Sequence, residues 1–224
     1  MKKIMFNDKF SLTQAVLEGR KTMTRRIVTY PLKFRGVNVA GYFVCKRPSG
    51  EVTEICMYDE DERMIDGGQI LPKYKVGEVV AIAQSYKDLG YDPDSLDRDP
   101  KDLGIRGFMK HSAGWNNKMF VSAAACKKHI RITGVKCERL QDISEADCLK
   151  EGIIKYTKDG TVFKYDLSDR FEMFSWQDMK RSPREAFSAL IDKVSGKGMF
   201  ASNPYVFVYE FKSVSYTHLR AHET

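Results

Sequence analysis

The chain is poor in cysteine, and none of its cysteines sits in a C-x-x-C pair. Cys45, Cys56, Cys126, Cys137 and Cys148 are five in 224 residues. An odd, scattered set argues against a disulfide framework or a zinc site and predicts reduced thiols in or near the core. Histidine is as sparse, with four in all, of which His218 and His222 lie in the last residues. His111 and His129 have no partner at metal-ligand spacing, so no metal is expected. Cys126 and His129 stand three residues apart, which does not show that they meet as nucleophile and base. Long apolar runs are missing too. The longest, Val79-Val80-Ala81-Ile82-Ala83, is far too short to cross a bilayer, and Asn7 and Asp8 break Ile4-Met5-Phe6 before a signal sequence can form. The expectation is a cytoplasmic protein with no membrane partner. Neither G-x-G-x-x-G nor G-x-x-x-x-G-K-[ST] occurs, so no dinucleotide or nucleoside-triphosphate cradle, and no cofactor, is expected.

What is present suits a mixed, mainly β domain of residues 1–212, since 42% hydrophobic content in this length can bury a substantial core. The formal net charge is +7 and the isoelectric point near 9.0, which favours a polyanionic partner: nucleoside, nucleotide or RNA. Basic residues gather at 20–26, 127–131 and 180–184, with Phe171, Phe174 and Trp176 near the last group. Such aromatics stack bases in some proteins and fill cores in others. The acidic stretches 59–62 and 92–102 read as exposed loops. Residues 214–224 resemble a translated sequencing adapter and are set aside as a non-native tail. Nothing in the sequence fixes the oligomeric state.

The most informative stretch is Glu18-Gly19-Arg20-Lys21-Thr22-Met23-Thr24-Arg25-Arg26. Upstream, Ser11 can cap a helix whose apolar positions Leu12, Ala15 and Val16 recur at helical spacing, with Gly19 as a left-handed terminator. From Thr22 the chain alternates, which predicts a strand with Thr22, Thr24 and Arg26 on one face. Lys21 has the opposite parity. To share a cleft with Thr24 it must sit in the turn before the strand or at a bulge. A second helix should begin at Ser182-Pro183, with Phe187, Leu190, Ile191 and Val194 on one face, and end at Gly196. Lysine at a helix end and threonine or arginine on a strand are also ordinary surface features.

Gly19, Lys21, Thr24 and Arg26 in this run resemble the G-x-K-x-x-T-x-R signature of ASCH domains, small β-barrel modules similar to the PUA RNA-binding fold. Tyr74-Lys75-Val76-Gly77-Glu78-Val79-Val80 is similar to that family's turn into a barrel strand. Ile130 to Leu140, followed by Gln141-Asp142-Ile143-Ser144-Glu145, is similar to its next strand and helix start, and Asn203 to Phe211 to its closing strand. The resemblance, strongest to the longer ASCH proteins of phages and prophages, implies a PUA-like β-barrel with a few covering helices. Long loop insertions are then expected near 29–73, 85–117 and 155–181. The family includes a small bacterial amidohydrolase that removes the acetyl group of acetylcytidine with a lysine, a threonine and a glutamate. By resemblance these are Lys21, Thr24 and Glu151, with Arg20, Thr22, Arg25 and Arg26 around the substrate.

The implied chemistry is physically coherent. A threonine hydroxyl attacks an amide only if a neighbouring base takes its proton. Lys21 can do so once burial or like charge lowers its pKa from about 10.4. Attack creates an oxyanion that backbone N–H groups or an arginine can stabilise. Ser144 and Asp147 form a capping-box-like helix start and Gly152 can end the helix. Glu151 would then lie in the last turn, where the helix dipole favours a protonated acid for the departing amine. The rival reading is a non-catalytic RNA- or nucleotide-binding module in which Lys21, Arg25 and Arg26 grip phosphate and Thr24 donates a hydrogen bond.

Overall fold

The computed structural model describes residues 1–46, 52–98, 107–167 and 176–214. Phe171, Phe174, the end of the acidic stretch from Asp99 and the tail from Ser215 lie outside the described residues. In chain order the elements begin with β1 (Lys3–Ile4), α1 (Leu12–Leu17), β2 (Met23–Ile27), β3 (Lys33–Phe34), β4 (Val37–Asn38), β5 (Gly41–Lys46), β6 (Val52–Tyr58) and β7 (Met64–Ile70). There follow β8 (Val79–Ile82), β9 (His129–Arg139), α2 (Glu145–Lys150), β10 (Ile154–Thr157), β11 (Phe163–Asp166), α3 (Pro183–Ser195), α4 (Met199–Ser202) and β12 (Tyr205–Val214). The class is α+β with strands predominating. No helix among the described residues is long and apolar enough to cross a membrane.

The chain divides into two compact units. Of the described residues, the first comprises Met1–Gly19, those of Gly77–Ile132, and 212–214. Here β1 pairs in parallel with β8, and β8 pairs antiparallel with the start of β9. Ala81, Tyr86, Leu89, Met109, Val121 and Cys126 form a buried cluster. The stretch 85–117, expected as inserted loop, therefore supplies core side chains. In α1 the buried face is Leu12, Ala15 and Val16, as the spacing predicts. Ser11 differs from expectation: it adopts a left-handed backbone, and its side chain makes no cap hydrogen bond. Gly19 follows α1 with φ +76°, where a side chain would be strained.

The second unit comprises Arg20–Val76 and Thr133–Phe211. Its strand order is β9-β12-β2. Val206, Phe207, Val208 and Tyr209 are consecutive and all buried, the pattern of a strand covered on both faces. Antiparallel pairing sets Tyr209 opposite Thr24 and Phe207 opposite Arg26. β2 has β12 as a neighbour on one side only. Just before β2, the Thr22 N–H donates a hydrogen bond to the Lys150 carbonyl of α2 at 2.9 Å.

The expected closed barrel is thus corrected. Among the described residues the strands do not close, and β2 ends the strand order as an edge. The stretch 29–73 is likewise not loop but the hairpin β3–β4 and the antiparallel sheet β5-β6-β7, and 155–181 contains the hairpin β10–β11. A second correction concerns cysteine. Cys45 and Cys56 form a disulfide, because β5 and β6 pair antiparallel and bring their Cα atoms to 6.3 Å. The other three, Cys126, Cys137 and Cys148, are free and buried.

α3 follows its sequence signals closely. The Ser182 side chain accepts from the Glu185 N–H, Pro183 opens the first turn, and Ala186, Phe187, Leu190 and Ile191 are buried. Val194 departs from the expected face and is 40% exposed, since it lies in the last turn, just before Gly196 ends the helix.

Candidate active site

The second unit brings an unusual density of charge into its interior. Lys21, Thr24, Arg25 and Glu151 are all buried, although charged residues are almost never buried unless they are paired. Lys21 lies in the two residues between the bend at Arg20 and the first residue of β2. The pleat does not govern it there, which meets the geometric demand that its parity imposes.

Lys21 and Glu151 form the centre. Lys21 Nζ donates to Glu151 Oε2 at 2.5 Å and to the Glu151 backbone carbonyl at 2.8 Å. Their side chains are 2% and 4% exposed. Glu151 reaches this place because Ser144 caps α2 by accepting from the Asp147 N–H, and Glu151 then forms the helix's C-terminal cap. Gly152 leaves the helix with φ +102°. Burial pushes the Lys21 ammonium below its ordinary pKa; Glu151 opposes that shift, and the charges of Arg26 and Arg25 add to it.

The second oxygen of Glu151 is held by Arg25. Arg25 Nη1 donates to Glu151 Oε1 at 3.1 Å, Nε and Nη2 donate to Glu138 Oε1 at 3.1 and 2.7 Å, and Nη2 donates to Asp147 Oδ2 at 3.3 Å. The guanidinium also lies 6.0 Å from the Phe187 ring centroid. Burial works to lower the Arg25 pKa, but the Glu151 and Glu138 carboxylates outweigh it and hold the guanidinium above its ordinary value. Lys136 reaches Glu138 at 2.7 Å, and Lys150 reaches Asp147 at 3.2 Å. Partial burial raises the Asp147 pKa, yet Lys150, Arg25 and Lys136 together bring it below the usual carboxylate value.

This arrangement changes two expectations. Arg25 was expected to grip substrate phosphate, but its side chain is 1% exposed and bound to three carboxylates of its own chain. Glu151 was expected as a proton donor at a helix end, whereas each of its carboxylate oxygens accepts a hydrogen bond from a cationic side chain.

Thr24 shares its strand face with Thr22 and Arg26, opposite to Arg25. Its cross-strand partner is Tyr209, and the Tyr74 ring packs edge-on against Tyr209 at 5.2 Å. The Tyr209 hydroxyl accepts from the Lys73 N–H at 2.9 Å. Among the described residues, no hydrogen bond engages the Thr24 hydroxyl. Arg26 couples this face to the buried pair. Burial lowers its pKa, against the opposing fields of Tyr74, Glu151 and Tyr209. Arg20 and Thr22 are half-buried, and Thr22 is tied down through its backbone, its carbonyl accepting from the Phe211 N–H at 2.9 Å.

The structure therefore brings Lys21, Arg25 and Glu151 into direct contact and places Thr24 one residue from Arg25 on the other face of β2. Glu138, Asp147, Tyr74 and Tyr209 complete the surroundings. Of these, only Asp147 carried a local signal in the sequence, and that signal was for helix capping. Among the described residues, no group of three His, Cys, Asp or Glu side chains is placed to hold a metal ion. Compared with protein-family models, curated proteins and solved structures, the chain matches none.

Proposed function

We propose that this protein is an amidohydrolase of the ASCH, PUA-like type that removes an acyl group from the amine of a modified nucleoside or base. The observation that carries the reading is the buried Lys21–Glu151 pair at the entry to the strand that carries Thr24, a residue itself 5% exposed. A desolvated lysine paired with a buried carboxylate, three residues before a nucleophile candidate, is a pattern that function explains better than stability. Buried ion pairs give little net stability and perturbed ionisable groups gather at reactive sites. The resemblance of Gly19, Lys21, Thr24 and Arg26 to the ASCH signature supplies the reaction class.

In this reading Lys21 enters as the neutral amine. Thr24 Oγ attacks the amide carbonyl carbon as Lys21 Nζ takes the hydroxyl proton, and the carbonyl oxygen becomes the oxyanion. Collapse breaks the carbon–nitrogen bond, and the departing amine takes its proton from Lys21. Water then cleaves the acyl-threonine ester by the same proton transfers in reverse order of partners, releasing the carboxylic acid. Glu151 orients Lys21 and balances the ammonium that forms transiently. Arg26, on the same face as Thr24, is the cation this reading assigns to the oxyanion.

Nucleotide or RNA binding without chemistry is the rival, and the +7 charge favours it. It loses one of its expected phosphate contacts with the burial of Arg25. The test is release of cytidine from acetylcytidine by the parent chain and by Lys21→Ala, Thr24→Ala and Glu151→Gln. Turnover in the parent that vanishes in all three folded variants supports the hydrolase. A parent without turnover on any acylated nucleoside, but with salt-sensitive RNA affinity, overturns it.

A further inference from the structure

We infer that Arg25 is a positioning residue for the Lys21–Glu151 pair, clamping one carboxylate oxygen so that only the other faces Lys21. This inference rests on the amidohydrolase reading. A carboxylate that is free to rotate offers either oxygen to a nearby ammonium. Here Arg25 Nη1 occupies Oε1 at 3.1 Å, while Lys21 Nζ takes Oε2 at 2.5 Å. The guanidinium is itself fixed, since Glu138 accepts from two of its nitrogens and Asp147 from one of them. A planar fork with five donors can span three carboxylates in this way, and a lysine cannot. The three carboxylates come from β9, α2 and the α2 cap, so Arg25 ties β2 to both β9 and α2.

The clamp has an electrostatic consequence as well as a geometric one. Lys21 is acted on by Glu151 and by Arg26 and Arg25 of β2, while Arg25 is faced by Glu138 from β9 and Asp147 from α2, which Lys136 and Lys150 reach in turn. Tyr209 of β12 and Tyr74 act on the pair through Arg26. Within this set Arg25 is the cation in direct contact with Glu151. Its positive charge opposes retention of a proton on Lys21, which a base requires. Burial lowers the Lys21 pKa most, and the charges of Arg26 and then Arg25 add to it.

The test measures Lys21 titration by NMR, using lysine labelled at the ε-carbon, in the parent, Arg25→Gln and Arg25→Lys proteins. Acetylcytidine turnover is followed against pH in parallel. In Arg25→Gln the Lys21 titration and the rising limb of the pH–rate profile move together to higher pH, and kcat falls roughly 10- to 100-fold with KM little changed. Arg25→Lys keeps the charge and is the variant more able to fold. It restores the limb toward the parent position but not kcat, because the fork is gone. A Lys21 titration unmoved in Arg25→Gln, or parental kcat in Arg25→Lys, overturns the assignment. The titration needs no substrate, so failure of the Arg25 role is read separately from failure of turnover.

Discussion

Removing the buried cation at Lys21 should cost less stability than removing the buried anion at Glu151. Breaking one side of a buried ion pair costs about 3–5 kcal/mol, because the survivor is left in the interior without compensation. In Lys21→Met the survivor is Glu151, which keeps its 3.1 Å hydrogen bond from Arg25, placing the loss near the lower end of that range. The methionine side chain also fills most of the lysine stem's volume and returns about 1 kcal/mol of apolar burial. The net is about 2 kcal/mol. In Glu151→Gln the survivors are Lys21 and Arg25, two buried cations that share one lost carboxylate, and the cost lies in the middle of that range, about 4 kcal/mol. For a chain of this length 1 kcal/mol corresponds to about 2–4 °C in Tm. Lys21→Met should therefore melt about 4–8 °C below the parent and Glu151→Gln about 8–16 °C below. Calorimetry or thermal circular dichroism with checks for reversibility reads both. Equal losses, or a larger loss in Lys21→Met, would refute the reasoning that Arg25 compensates Glu151.

The pH dependence has a definite sign. Lys21 is held below its ordinary pKa of 10.5, so between the lowered value and the ordinary one the unfolded chain binds more protons and stability rises with pH. Denaturant titrations over that alkaline window should show the deficit of Lys21→Met growing as pH increases; a constant deficit contradicts the lowered pKa. Thr24→Val removes a hydroxyl that takes no hydrogen bond among the described residues while keeping its shape. It should change stability by less than about 1 kcal/mol, yet abolish turnover in the acetylcytidine assay. Thiol counting in denaturant should find three reactive thiols without reductant and five with it, given the Cys45–Cys56 bond. Replacing both of those residues by serine should cost about 3 kcal/mol for a closed loop of this size. Ser182→Ala removes the α3 cap hydrogen bond and should cost about 1 kcal/mol in urea unfolding, with turnover per folded molecule unchanged.

Local features were the ones legible in the sequence. The buried face of α1, the Ser182–Pro183 start of α3 and the positive-φ glycines at 19 and 152 each rest on a few neighbouring residues, and each stands where its signals put it. Val194 shows the limit of periodicity, since a helical spacing does not say where the neighbouring layer ends. The stretch 29–73 folds as β3 to β7 without a local signal, because these strands pair with one another and leave no mark in the helical or core patterns elsewhere. The disulfide followed the same rule: Cys45 and Cys56 meet only once the β5–β6 register is known. At the site, Lys21, Thr24 and Arg26 were visible as a short motif and Glu151 through family resemblance. The inversion of Arg25 from an expected phosphate contact to a buried clamp was not visible. It depends on Glu138 and Glu151, 113 and 126 residues away in the chain, and no local pattern encodes pairs at that separation.

The central claim is that Thr24 carries the acyl group, and the most direct measurement is mass spectrometry of the protein quenched during turnover of acetylcytidine. The account predicts one acetyl group on the peptide that contains Thr24 in the parent chain, its accumulation when water attack is slowed at low pH, and its absence in Thr24→Val. Steady release of cytidine by Thr24→Val at the parental rate, with no acetyl group on that peptide in either protein, would contradict it.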